Sequence, residues 1–266
     1  MLEISLLGPL RVAGPRGEFG TTSTKIRQVL ALLALESPSA VGVDRITEEL
    51  WPQRPPRTAL GTVQTYVYHV RKQLAAHVGS GSKLLATVRN GYLLDIDPAC
   101  LDVRRFERAV REGRAALDAG RAADASARMD RALAMWRGAA LADVRQGPAL
   151  DAEAVRLEGL REAALELRVQ ADLEQEHLPE VIPELQALIR RYPLRERFHH
   201  QLVTALNRAG RRADALVAYQ HTCRVLNEEL GLDPSDELRR LHHLVLTGAS
   251  AGAPRRTSAL EHPIPA

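Results

Sequence analysis

A chain of 266 residues exceeds the usual span of one compact domain, so two domains are expected. Hydrophobic residues at 45% and charged residues at 26% are ordinary for a globular protein, and a net charge of +3 does not mark the whole chain as a polyanion binder. Only 4% is aromatic, so the cores must be built mainly from Leu, Ala and Val, which favours close-packed helices.

Residues 2 to 20 read as short strands broken by Gly8-Pro9 and by Gly14-Pro15-Arg16-Gly17. Thr22, Ser23 or Thr24 can cap the segment KIRQVLALLALE. Its Ile26, Val29, Leu30, Leu33 and Ala34 keep the spacing of an amphipathic helix. Asp44 is placed to cap a second helix, RITEELW, which Pro52, Pro55 and Pro56 terminate. A third helix is expected from about Arg57 to His77. Val63, Val67, Val70 and Leu74 fall in one narrow sector of it, and Thr65, Tyr68, His69 and Lys72 lie opposite. Gly79-Ser80-Gly81-Ser82 ends that helix. KLLATV and GYLLDI then form a hairpin around Arg89-Asn90-Gly91.

Charge is concentrated in this part of the chain. From Leu50 to Leu94 there is no Asp or Glu, whereas Arg54, Arg57, Arg71, Lys72, Lys83 and Arg89 are all basic. Acids number 33 in 266 residues, so a run of this length should carry five or six. The excess of positive charge is therefore local, as suits a polyanionic partner.

After a boundary between Asp95 and Leu101 the pattern becomes helical throughout. Ala171, Ile182, Leu185, Leu188 and Ile189 align with Ala205, Leu216, Tyr219, Thr222 and Cys223 at an offset of 34 residues. Gly120-Arg121 with Ala123-Asp124-Ala125 matches Gly210-Arg211 with Ala213-Asp214-Ala215. That period is the one of tetratricopeptide-type helix pairs. Asp233-Pro234 is expected to open a last helix, and from Gly248 the composition is that of a disordered tail. The expected fold is mainly α with a small β part: an N-terminal winged helix-turn-helix over residues 1–97, then a tetratricopeptide-like helical bundle over 98–247.

Strands, three helices and a hairpin in that order describe a winged helix, whose third helix enters the DNA major groove. Thr65 and His69, one turn apart on the outward face, are the candidates for base edges. Tyr66, Tyr68, Arg71 and Lys72 are placed for phosphate oxygens, although Tyr66 suits core packing equally. Thr87 and Arg89 on the hairpin could reach the backbone and a neighbouring minor groove. Trp51 and Trp136 read as core anchors.

The segments KIRQVLALLAL, ELWPQRPPRTALGTVQTYVYHVRKQL and TVRNGYLL resemble the OmpR/PhoB-type winged-helix domain, in particular its version in the Streptomyces antibiotic regulatory protein family. Residues from about 102 to 246 resemble that family's bacterial transcriptional activation domain. The resemblance implies an activator of a secondary-metabolite (antibiotic) cluster. Such an activator binds double-stranded promoter DNA as a dimer on direct repeats near the −35 region. It recruits RNA polymerase holoenzyme through sigma region 4 and the α C-terminal domain. It also implies DNA contacts at Thr62, Thr65, Tyr66, Tyr68, His69 and Arg71 on the helix and at Thr87, Arg89 and Tyr92 on the wing.

Other chemistries find little support. Cys100 and Cys223 form no CxxC pair, which fits a reducing cytoplasm, and MLEISLLGPLRV lacks the form of a signal peptide. No run approaches the roughly 18 apolar residues of a spanning helix. His199-His200, His242-His243 and His221 with Cys223 lack the spacing of a closed metal site and read as solvated helix faces. No metal, no cofactor and no catalytic constellation is expected, and no GxxxxGK[ST] loop occurs. The competing reading is a helical-repeat adaptor whose winged helix binds protein instead of DNA.

Overall fold

The structure is a computed structural model that describes residues 2–19, 23–78 and 84–248. Thr22 as a cap, the Gly79–Ser82 loop, Lys83 and the tail beyond Gly248 lie outside the described residues. The chain divides into two compact units, Met1–Ala171 and Asp172–Ala266.

The first unit opens with an antiparallel meander of β1 (Glu3–Ser5), β2 (Arg11–Gly14) and β3 (Gly17–Phe19). Ile4 faces Val12 in register and both are buried, as period-two alternation requires. Helix α1 (Thr24–Glu36) follows. The sequence suggests one apolar stripe on it, yet every residue from Gln28 to Leu35 is buried, so α1 is the central helix of the unit. Its one polar member there, Gln28, gives its amide N–H to the Glu49 carbonyl at 2.8 Å.

A two-residue strand, β4 (Val41–Gly42), precedes α2 (Val43–Leu50). The N-cap is Gly42, not Asp44, which sits in the first turn. The helix starts early because β4 is tied to the hairpin: the Val43 N–H donates to the Asn90 carbonyl at 3.1 Å. Helix α3 (Ala59–Val78) is followed by β5 (Leu85–Val88) and β6 (Gly91–Leu94), and the sheet order is β4-β6-β5. Gly91 has a packing reason, since a Cβ there would lie 2.0 Å from the Val41 carbonyl oxygen.

The compact unit does not stop near residue 97. Helices α4 (Asp102–Asp118), α5 (Ala122–Leu133) and much of α6 (Pro148–Glu174) belong to it. One hydrophobic core runs from Leu2 and Val70 through Phe106 and Trp136 to Ala164. Two buried carboxylates join its parts. Asp102 accepts from the backbone N–H of Leu6 at 2.8 Å and of Leu7 at 3.0 Å. Burial pushes its carboxyl above the ordinary range against the pull of those donors. Glu49, 2% exposed, accepts from the N–H groups of Gly147 (2.6 Å) and Ala149 (2.8 Å) at the N-terminus of α6. A carboxylate there satisfies orphan donors and the positive end of the helix dipole.

The repeated phrase beginning Gly-Arg has a geometric meaning. Gly120 (φ 72°) and Gly210 (φ 73°) each end a helix in the left-handed conformation. Arg121 N–H reaches Ala116 O, and Arg211 N–H reaches Leu206 O, both at 2.9 Å. Ala125 and Ala215 are buried in the helix that each turn opens.

In the second unit α7 (Leu178–Arg191), α8 (Glu196–Arg208), α9 (Arg212–Leu230) and α10 (Asp236–Thr247) follow one another. The starts of α7 and α9 are 34 residues apart, as the sequence offset suggests. Ser235, not Asp233, is the N-cap of α10. His199 is also not solvated: it is 2% exposed, with Nε2–H donating to the Pro193 carbonyl at 2.8 Å and Nδ1 2.9 Å from Thr222 Oγ1. Desolvation lowers its pKa. An internal partner at each ring nitrogen makes it a core residue.

Candidate nucleic-acid interface

Helix α3 buries Val63, Val67, Val70 and Leu74, each 2% exposed or less. That stripe packs α3 against α1 and α2 and so fixes which side faces outward. Gly61, Thr65, Tyr68 and Lys72 recur at helical spacing along the centre of the opposite side, and all four are exposed. His69 is exposed beside them, its ring meeting that of Tyr68 edge-on at 5.6 Å. Tyr68 is 58% exposed, more than an aromatic side chain with an intramolecular packing role would show.

The predicted contacts do not all lie together. Thr65, Tyr68, His69 and Lys72 come together on one open face. Thr62 and Tyr66 are half-buried on one flank, and Tyr66 packs against the core. Arg71 lies on the other flank, exposed, but its guanidinium is turned to the wing: Nε–H donates to the Leu85 carbonyl and an Nη2–H to Thr87 Oγ1, both at 3.1 Å. Thr87 and Arg89 are exposed on the hairpin.

Tyr92 is placed differently. It is 7% exposed and belongs to the core, so its reading as a wing contact is corrected. In β6, the central strand of its sheet, Tyr92 sits opposite the buried Val41 of β4, on the side that faces the core.

The threonine hydroxyls also have local partners. Thr65 Oγ1 donates to the Gly61 carbonyl at 2.9 Å and Thr62 Oγ1 to the Thr58 carbonyl at 3.0 Å. Each then presents a methyl group and acceptor lone pairs outward.

Electrostatically the face is uniform. Among the described residues, Arg54, Arg57, Arg71, Lys72 and Arg89 are all exposed and none lies in an ion pair. The surface is a ridge and not a pocket. Two cavities, of about 510 and 320 Å³, are lined by residues outside α3 and the wing. Among the described residues no group of three His, Cys, Asp or Glu could hold a metal ion, and no helix is long and apolar enough to cross a membrane.

Gly61 escaped the sequence reading. A Cβ there would meet nothing within 4 Å, so no internal packing calls for glycine in the first turns of this helix. Glycine inside a helix costs about 1 kcal/mol relative to alanine, and that unexplained cost at an outward position is the signal that could have found it.

The chain matches two families: "Transcriptional regulatory protein, C terminal" over residues 17–94 and "Bacterial transcriptional activator domain" over residues 101–246. It is 41% identical over 251 residues to Regulatory protein DnrI of Streptomyces peucetius, covering 92% of each. Against Transcriptional regulator RedD of Streptomyces coelicolor it is 36% identical over 249 residues, covering 92% of this chain and 70% of that one. A solved structure of Mycobacterium tuberculosis EmbR in complex with a low affinity phosphopeptide superposes with a TM-score of 0.88 at 34% identity, over 93% of this chain and 65% of EmbR. With both domains in the same order and relatives of this kind, the chain belongs to the Streptomyces antibiotic regulatory protein family of transcriptional activators.

Proposed function

We propose that this protein activates a secondary-metabolite gene cluster by binding direct repeats in promoter DNA and recruiting RNA polymerase. The observation that carries this reading is the open, carboxylate-free face of α3 beside an exposed, unpaired Arg89. A major groove about 12 Å wide admits one helix, and such a face offers it hydroxyl acceptors, methyl groups, an imidazole and an ammonium. Lys72 supplies phosphate neutralisation, Thr65 and His69 read base edges, and Arg89 enters the adjacent minor groove. Two copies of the protein on repeats about one helical turn apart present the same face to the groove. The helical half is the part offered to sigma region 4 and the α C-terminal domain of polymerase, and the protein works at the nucleoid.

Footprinting the purified chain on random genomic fragments at two salt concentrations tests the DNA half of this reading. The expected result is protected repeats and an affinity that falls steeply with salt. An affinity insensitive to salt, or retention of protein partners with none on promoter DNA, overturns it in favour of an adaptor. Run-off transcription with holoenzyme on the recovered fragment tests recruitment; no stimulation there overturns that half alone.

A further inference from the structure

We propose that Arg71 is a positioning residue, latching the wing to α3 and aiming the Thr87 hydroxyl at a backbone phosphate; this rests on the DNA-binding function proposed above. The family pattern makes Arg71 and Thr87 two separate DNA contacts. The geometry joins them. One planar guanidinium spans the Leu85 carbonyl and the Thr87 hydroxyl, two residues apart on β5, with 3.1 Å hydrogen bonds to each. Only the rigid fork of arginine can serve both at once; a lysine ammonium on its flexible stem reaches one.

The polarity of the second bond matters. A hydroxyl has one proton and two lone pairs. Because Thr87 Oγ1 accepts from Arg71, its own proton is free to donate, and a cationic donor behind it strengthens that bond. Outward from Thr87 the natural acceptor is a phosphate oxygen. Register places Thr87 opposite Tyr92, so both side chains lie on one face of the hairpin. Tyr92 is buried there and Thr87 is exposed.

The wing is held at a second point. At its turn, the Asn90 carbonyl accepts from the Val43 N–H at 3.1 Å, and Gly91 packs against Val41. With the latch on β5 and this anchor at the turn, Arg89 is fixed relative to α3 before any DNA arrives. Helix and wing then engage as one preformed surface, without the ordering cost of a loose hairpin.

Full-length Arg71→Lys, Thr87→Val and the double variant test this on the promoter fragment recovered by footprinting. Each single change is expected to weaken binding by about three- to tenfold, the double no more than the worse single, with thermal midpoints unchanged. Arg71→Lys keeps its charge, so its salt slope should stay at the wild-type value. Hydroxyl-radical protection should disappear under the wing and persist under α3. Wild-type affinity in Arg71→Lys, or losses that multiply in the double variant, would make Arg71 an independent phosphate contact and overturn the latch. Amide exchange at Val88 and Arg89 in the free protein supplies a readout independent of DNA. Faster exchange in both single variants supports the latch even if the wild type binds no DNA, and unchanged exchange overturns it even if DNA binding holds.

Discussion

Two sets of cations in the first unit are held in opposite ways. Along α4 to α6, Arg128 meets Glu112 at 2.7 Å, Arg156 meets Glu107 and Glu153 at 2.6 and 2.7 Å, and Arg168 meets Asp130 at 3.3 Å. Burial would raise the Glu107 carboxyl, but hydrogen bonds from Arg104 and Arg156 hold it below the ordinary range. Between Leu50 and Leu94 there is no acid to pair with, and Arg54, Arg57, Lys72 and Arg89 stand exposed. A guanidinium facing a carboxylate has its field cancelled within a few ångströms. One without such a partner projects its potential into solvent. The paired arginines Arg128, Arg156 and Arg168 turn their charge inward, and the cations between Leu50 and Leu94 turn theirs outward.

Removing the carboxylate that stands just before the acid-free run should have the largest effect. Glu49→Ala leaves the buried N–H groups of Gly147 and Ala149 without their acceptor. It should cost roughly 3 kcal/mol or more in a denaturant titration of the whole chain. A loss under about 1 kcal/mol would mean that the last acid before the basic stretch is not structural.

Next in size is base reading. His69→Ala should lose about 1–3 kcal/mol at the base pair it touches and little elsewhere, as a binding series over single-base variants of the site would report. A uniform loss across the series would move His69 to the phosphate class.

A matched pair of cation deletions separates the two stretches most sharply. Lys72→Ala should lower the slope of log affinity against log salt by about one. Arg128→Ala should leave DNA binding alone and change stability by no more than about 1 kcal/mol, as an exposed ion pair does. Equal slopes for both variants would break the distinction between outward and internal charge.

The smallest effect has two opposed signs. Gly61→Ala should raise stability by up to about 1 kcal/mol, because nothing in the chain opposes the added methyl group. It should weaken DNA binding if the backbone approaches the duplex there. A variant that is stabilised and binds as before would leave the glycine at this position without a functional reason.

Much of this was legible before any coordinates. The valine stripe on α3 sets its buried side by periodicity alone, and Asn90-Gly91 marks the hairpin turn through local backbone preference. The repeated Gly-Arg phrase marks two equivalent helix ends because a left-handed C′ residue favours glycine. Reading failed where a residue's surroundings come from elsewhere in the chain. Tyr92 has the composition of a wing contact but is claimed by the core, and His199 looks like a surface histidine but has both ring nitrogens engaged internally. β4 is too short to leave a pattern, yet it moves the start of α2.

The amino-acid order alone determined the succession of elements, the outward face of α3 and the absence of negative charge around it, since each depends on residues within a few turns of one another. Tertiary structure decided that the winged helix and α4 to α6 share one core, through Glu49 and Asp102 reaching partners about a hundred positions away. It also decided that Arg71 grips β5. A side chain's type fixes what bonds it can make, but only the folded chain brings a particular donor within 3 Å of a particular acceptor.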